Sequence, residues 1–289
     1  MIDTLRGLLP KKFRSQGPVI PVVRLQGAIG MATPLRPGLS LATVAQPLEK
    51  AFSFKKAPAV ALVVNSPGGS PVQSRLIYQR IRELAKEKEK EVLVFVEDVA
   101  ASGGYMIALA GDEIIADPCA IVGSIGVVSA GFGFTDLIKK VGVERRVYTA
   151  GEKKVILDPF QPENPDDISY LKGLQQEIHD IFIEMVKSRR GDVLSGGEDV
   201  FSGKFWTGSS ARGLGLIDGL GHLRGTLKER YGSKAEPKLI SAPRGLFGRR
   251  SSVGGGVAAL ASFSGGVQGL GNDIISSLEE RGLWARYGL

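Results

Sequence analysis

Ser102 stands in Ala100-Ala101-Ser102-Gly103-Gly104-Tyr105, one of three glycine-rich segments that follow or border apolar runs. The others are Asn65-Ser66-Pro67-Gly68-Gly69-Ser70 and Gly123-Ser124-Ile125-Gly126-Val127. Tight turns of this kind expose backbone N–H groups, and at the carboxyl ends of strands in an α/β sheet they form the usual ligand crevice. Two chemistries fit. One is a phosphate cradle, but no G-x-x-x-x-G-K-[ST] and no strand-bounded G-x-G-x-x-G stands at these places. The other makes Ser102 a nucleophile, with the N–H of Gly103 and that of Gly68 or Gly69 as oxyanion donors. Such a serine needs a base. His179 and His222 are the only imidazoles. Both are far along the chain from Ser102, and His179 falls inside an amphipathic helical pattern, where a structural role is the usual one. The remaining base is a lysine held neutral. A lysine titrates near about 10.4, so burial must bring it down by roughly 3 pH units, at a cost of about 4 kcal/mol carried by the rest of the fold. Gly151-Glu152-Lys153-Lys154-Val155-Ile156-Leu157 offers two candidates ahead of an apolar triplet. One can be drawn inward while the other stays in water.

The elements around these turns alternate. Val19 to Arg24 and Ala59 to Val64 are short β-branched runs ended by Gly27 and by Asn-Ser-Pro-Gly-Gly, as buried strands are. Leu41 to Phe54 has helical spacing, with Pro47 expected as a break or first-turn residue. Pro71 to Lys88 follows as a helix with Leu76, Ile77, Ile81 and Leu84 on one side, then Val92 to Val96 as a strand and Gly103 to Ala110 as a small, apolar, buried helix. This βαβα order implies an α/β core with right-handed crossovers. Further strands are expected at Glu113 to Ala116, Gly126 to Ser129 and Arg145 to Tyr148, with a helix at Thr135 to Val141. Pro165 opens a long helix at its tolerated first position, with Leu171, Leu174, Ile178, Ile181 and Met185 as its apolar stripe. From Ser241 to about Gly271 the chain turns to Gly, Ser and Arg, and Asp273 to Tyr287 resumes helical spacing. That reads as a linker and a C-terminal helix outside the main domain.

Composition narrows the classes. The chain has 289 residues, 43% of them hydrophobic, enough for one large or two modest domains and too apolar for general disorder. A single cysteine, Cys119, excludes an internal disulfide framework, and with two distant histidines it leaves no ordinary zinc site. The net charge of +7 is spread among acidic residues, with no basic stripe interleaved with aromatics, so no nucleic-acid partner is expected. Basic clusters stand near the ends, at Lys11, Lys12 and Arg14 and at Arg244, Arg249 and Arg250. Met1 to Gly17 lacks the continuous apolar stretch of a secretory signal, so the mature chain is expected to start here. Ile2, Leu5 and Leu9 share one helical face beside Arg6, which is the pattern of an interfacial anchor, although a frayed terminus is the plainer reading. Pro118 to Thr135 and Ser251 to Asn272 are uncharged but punctuated by glycines, and neither reads as a membrane span.

Together with Trp206-Thr207-Gly208 and Leu214-Gly215-Leu216-Ile217-Asp218, the three glycine-rich segments make four motifs in order. In these motifs the chain resembles the bacterial signal peptide peptidase A family of Ser/Lys-dyad serine peptidases, over roughly residues 19 to 240. The resemblance implies a ClpP/crotonase-like fold with stacked β-sheets and surrounding helices at 19 to 240; composition sets apart an N-terminal segment at 1 to 18 and the linker with its helix at 241 to 289. It implies Ser102 as nucleophile and Lys154, three residues after Gly151, as general base in preference to Lys153. Gly69 and Gly103 match the oxyanion-hole donors and Ser124 a hydroxyl near the lysine. Neither a metal nor a cofactor is implied. The chain has one copy of the fold and lacks a membrane segment, like the short single-domain branch. Such members are implied to form rings or domes, a homo-oligomer in which one subunit's lysine can reach another's serine. Substrates would be extended peptides with small or apolar side chains, such as signal peptide remnants, added as a strand beside Asn65 to Ser70. The expected location is cytoplasmic, with peripheral contact at the membrane. Two other readings remain: a crotonase-type acyl-CoA enzyme, for which Glu97 and Asp98 are the nearest carboxylates, and a non-catalytic scaffold that binds peptides or membrane proteins.

Overall fold

Three apolar runs build the centre of the molecule. The computed structural model describes residues 17–31, 38–241 and 280–289. Val19–Gln26 (β1), Ala59–Ser66 (β2) and Glu91–Ala101 (β3) run parallel, with β2 between the other two. All eight residues of β2 are buried, as a strand covered on both faces of a parallel sheet must be. The helices Leu41–Phe52 (α1), Pro71–Lys88 (α2) and Gly103–Ala108 (α3) pack Leu48, Ile77, Ile81 and Ile107 against Val23, Leu62 and Val94 in the larger of the cores. Every residue of α3 is buried, and the Tyr105 hydroxyl in it donates to the carbonyl of Leu216 at 2.7 Å.

The strands Glu113–Ala116 (β4), Ile121–Gly123 (β5), Phe205–Thr207 (β6), Gly219–Leu220 (β7) and Glu236–Leu239 (β8) complete an eight-stranded sheet among the described residues. The pairing of β5 with β6 is antiparallel and the rest is parallel. Thr135–Lys140 (α4), Pro165–Arg190 (α5), Gly208–Gly213 (α6) and Leu223–Tyr231 (α7) follow in chain order. Leu227 of α7 seals the opposite face of the sheet over Val22, Ala61, Val63 and Phe95.

The sheet forks at β3. Its first half pairs with β4 and its last three residues with β5, and between the two the register against β2 jumps from Val64↔Val96 to Ser66↔Ala100. One residue of β2, Asn65, therefore faces three of β3, a bulge that bends the strand. The Asn65 side chain bridges it, accepting from Val99 N–H at 3.3 Å and donating to Asp98 at 2.6 Å. The α/β reading with surrounding helices holds, and the expected stacked sheets take the form of one ladder that divides at this bulge.

Several local expectations are corrected. Pro47 neither breaks nor opens α1; it sits inside an unbroken helix, where its buried ring faces the core beside Val44, Leu48 and Ala51. Gly126 to Ser129 and Arg145 to Tyr148 have strand-like composition but no ladder, because no neighbouring strand lies beside them among the described residues. The strand in the first region is instead Ile121–Gly123. On α5 the buried residues are Phe182, Val186 and Arg190, while Leu174 and Ile181 of the expected stripe are exposed. Leu76 is likewise partly exposed on α2. The anchor pattern at Ile2, Leu5 and Leu9, the basic cluster at 244 to 250 and the linker lie outside the described residues. Residues 280–285 are helical, as expected, but this segment packs on the main body: Tyr287 and Trp284 cover Val99, Ala101 and Ile121 at the far end of β3 and β5.

Candidate active site

Ser102 is the hinge between β3 and α3. Its φ of 52° and ψ of −123° are a sparsely populated conformation for a residue with a side chain, held because its N–H donates to Gly123 O at 2.8 Å and its carbonyl accepts from Tyr105 and Met106. The side chain is half-buried and makes no capping bond to its own helix. Its hydroxyl is thus left for other chemistry.

Gly68 and Gly69 crowd this turn. A Cβ on Gly68 would stand 2.8 Å from Ser102 Cβ and 3.0 Å from Gly103 N, so a side chain there would push against the serine. Gly69 has φ 139°, and a Cβ on it would stand 2.2 Å from Ile29 O. The reason is a short ladder: Ile29 N–H donates to Gly68 O and Ser70 N–H to Ile29 O, both at 2.8 Å. Alternation along an extended segment then turns the N–H of Gly69 away from Ile29. It has no backbone acceptor among the described residues, and neither has the N–H of Gly103, the first residue of α3. Ala28 to Gly30 occupy one edge of the Asn65–Ser70 segment, so a substrate strand cannot add on that side.

The third and fourth motifs close the site. Ser124, buried and with φ 54°, donates its N–H to Lys204 O at 2.7 Å, and the Trp206 ring lies over Gly123. Asp218 at the end of the fourth motif pairs with buried Arg190, whose Nη1 lies 2.8 and 2.9 Å from its two carboxylate oxygens. The second and third motifs thus meet at Ser102 through backbone bonds, the first crowds it through Gly68, and the fourth joins them through the Trp206 ring on Gly123.

The lysines lie elsewhere. After Ser124 the chain leaves the body as an arm, from Val127 to Glu163, in which most residues are exposed. The arm has its own structure: Phe134 packs on Phe160 at 5.6 Å, Arg145 sits over the same ring, and Asp158, nearly buried, takes Arg145 at 3.0 Å. Lys153 and Lys154 stand on its turn. Lys153 Nζ is engaged by Asp167 at 3.2 Å, whereas Lys154 is exposed and has no side-chain partner among the described residues. No hydrogen bond joins it to Ser102 within the chain.

Other chemistry is spoken for. His179 Nε2 lies 3.1 Å from Ile125 O and His222 Nδ1 accepts from Gly225 N–H, so neither bonds Ser102. Glu97 pairs with Arg24 and Asp98 with Asn65, which leaves the acyl-CoA reading without a free carboxylate beside the turn. Among the described residues no group of His, Cys, Asp and Glu could hold a metal ion. One residue was not foreseen. The Tyr287 hydroxyl donates to Ser124 Oγ at 3.2 Å, and nothing in the sequence near it signals a role.

Residues 84–234 match peptidase family S49. The chain belongs to this family. A putative protease of Methanocaldococcus jannaschii is 34% identical over 216 residues, 73% of this chain and 68% of that protein. A chloroplastic serine protease of Arabidopsis thaliana is 32% identical over 209 residues, 71% of this chain and 31% of its own length. A Brucella abortus protein named as the Na+/H+ antiporter NhaA is 60% identical over 292 residues, which are 99% of this chain but 39% of that protein. The chain thus spans well under half of that relative's length. Among the described residues no helix is long and apolar enough to cross a membrane.

Proposed function

We propose that the chain is a serine endopeptidase with a Ser102/Lys154 dyad completed between two copies of the molecule. The observation that carries this is the Ser102 turn, with a hydroxyl free of local bonds beside the N–H groups of Gly69 and Gly103, neither engaged among the described residues. Neutral Lys154 takes the hydroxyl proton as Oγ bonds to the peptide carbonyl carbon, and the two N–H groups receive the oxyanion. The ammonium then protonates the leaving amine as the C–N bond breaks. Water, deprotonated by the same lysine, releases the acyl group and returns Ser102.

The amine's exposure within its own subunit argues for delivery across subunits. A second copy covering the arm would strip water from the amine, and loss of water favours its neutral form. Of the two lysines, Lys154 is the one whose amine has no carboxylate partner among the described residues. The substrate is proposed as an extended apolar peptide, such as a signal peptide remnant. Gly126 to Ser129, which pair with no strand among the described residues, are proposed as the edge it would pair with, since Ala28 to Gly30 hold the other.

The test is cleavage of a fluorogenic peptide with an apolar residue before the scissile bond. Ser102→Ala and Lys154→Ala should each be inactive, Lys153→Ala active, and an equimolar mixture of the two inactive variants should regain activity. Equal activity in all variants would refute the dyad, and a silent mixture would confine it to one subunit. Peripheral membrane contact at the cytoplasmic face, through Ile2, Leu5, Leu9 and the neighbouring cations, is part of the same proposal. Flotation with anionic vesicles should weaken when residues 1 to 16 are removed.

A further inference from the structure

Tyr287 lies outside the matched S49 stretch, yet it touches two of the motifs that build the site. Its hydroxyl donates to Ser124 Oγ at 3.2 Å and stands 3.5 Å from Pro67 O. The residue is 8% exposed and packs with Val99 and Ala101, with Phe205 edge-on to its ring at 5.0 Å. Those neighbours are the last turns of β3, the strand that ends at Ser102, and the residue that pairs with Gly123 in β6. The phenol is therefore held by the same elements that hold the nucleophile, and it spans from the Asn65–Ser70 segment to the Gly123–Val127 segment.

A serine hydroxyl has one proton to give and two lone pairs to receive. Ser124 is fixed at the backbone by φ 54° and by its N–H to Lys204, but nothing in the backbone sets the rotation of its Oγ. The Tyr287 proton does so by occupying one lone pair. The second lone pair then has one direction left, in which it can receive an N–H of an incoming amine. We propose that Tyr287 is a positioning residue of the peptidase: it orients the Ser124 hydroxyl so that Ser124 can hold the lysine amine in line with Ser102. This rests on the dyad reading, in which Ser124 stands near the base.

The test is a double-mutant cycle in the full-length chain on the same fluorogenic peptide. Tyr287→Phe keeps the ring and removes only the hydroxyl, and Ser124→Ala removes its acceptor. Loss of one neutral hydrogen bond should lower the kcat of Tyr287→Phe about tenfold, with KM changed less than about twofold. The double variant should be no slower than Ser124→Ala, because Tyr287 acts through that hydroxyl. The inference is overturned if Tyr287→Phe or Ser124→Ala keeps wild-type kcat, if the two losses multiply, or if KM rises while kcat holds. A drop in melting temperature accompanied by multiplying losses also overturns it, since that is what a packing role gives. Ser102→Ala is run alongside. Activity surviving in that variant sinks the dyad reading, whereas an inactive Ser102→Ala beside an unaffected Tyr287→Phe sinks only the role of Tyr287.

Discussion

Gly69 shows how much a single missing side chain does. Its φ of 139° and the 2.2 Å approach of Ile29 O to where a Cβ would lie mean that alanine must displace the Ile29 ladder and turn the N–H. Gly69→Ala should lower kcat by about a hundredfold or more, the effect of losing one oxyanion donor. It should also lower the unfolding free energy by about 1–3 kcal/mol through backbone strain. Steady-state kinetics and urea unfolding measure the two separately, and wild-type kcat would remove Gly69 from the reaction. At this scale the sequence was readable where chemistry is encoded by a contiguous string. Ser102 and its glycines declare themselves as a turn, and the shortage of histidines points to lysine. Composition did not separate Lys153 from Lys154; the structure adds that Asp167 engages Lys153, which is what favours Lys154 in the proposed dyad. Tyr287 was not readable at all, since its partner hydroxyl is far away in the chain.

Elements position these residues through the bulge in β3. Without it the strand would continue in register with β2, and Ser102 would not arrive beside Gly68. Asn65 replaces the ladder bonds that the bulge removes, so Asn65→Ala leaves the N–H of buried Val99 without that partner. The unfolding free energy should fall by about 1–3 kcal/mol, the cost of an unsatisfied buried donor. The fall in kcat should exceed what that loss of folded protein accounts for at the assay temperature, which denaturant titration beside kinetics will show. Far from the site, Tyr231 of α7 donates to Glu91 at 2.9 Å, and burial, then this bond, pushes its phenol from 10.0 up to about 12. A pKa raised on folding gives stability that is complete below pH 10 and is lost as the pH climbs through about 12. The melting temperature of the wild type should therefore decline more steeply than that of Tyr231→Phe between these limits. Parallel slopes would show that the bond contributes nothing. Strand composition was a sound guide where a neighbour existed, as for β1 to β4. It failed at 126–129 and 145–148 because a ladder needs two strands and a single run cannot report its partner.

For the whole molecule the arm poses the question. Phe132 and Tyr148 stand 81% and 91% exposed on a segment with its own ion pair and ring stack, a surface that a second copy of the molecule would cover in the proposed assembly. The arm carries Lys154 on a segment braced by its own ion pair and ring stack. Its covering by a second copy would join folding, assembly and activity. Tyr148→Asp places a charge on that surface while touching nothing in the core of its own subunit. Its melting temperature should stay within about 2 °C of the wild type, as for surface changes in general. Its sedimentation should shift to a smaller species, and peptide cleavage should fall with the loss of assembly. The wild type, diluted through the same concentration range, should lose specific activity in step with its mass. A variant that sediments as a single subunit and still cleaves at the full rate would mean that Lys154 serves its own Ser102, and the arm would then need a different partner.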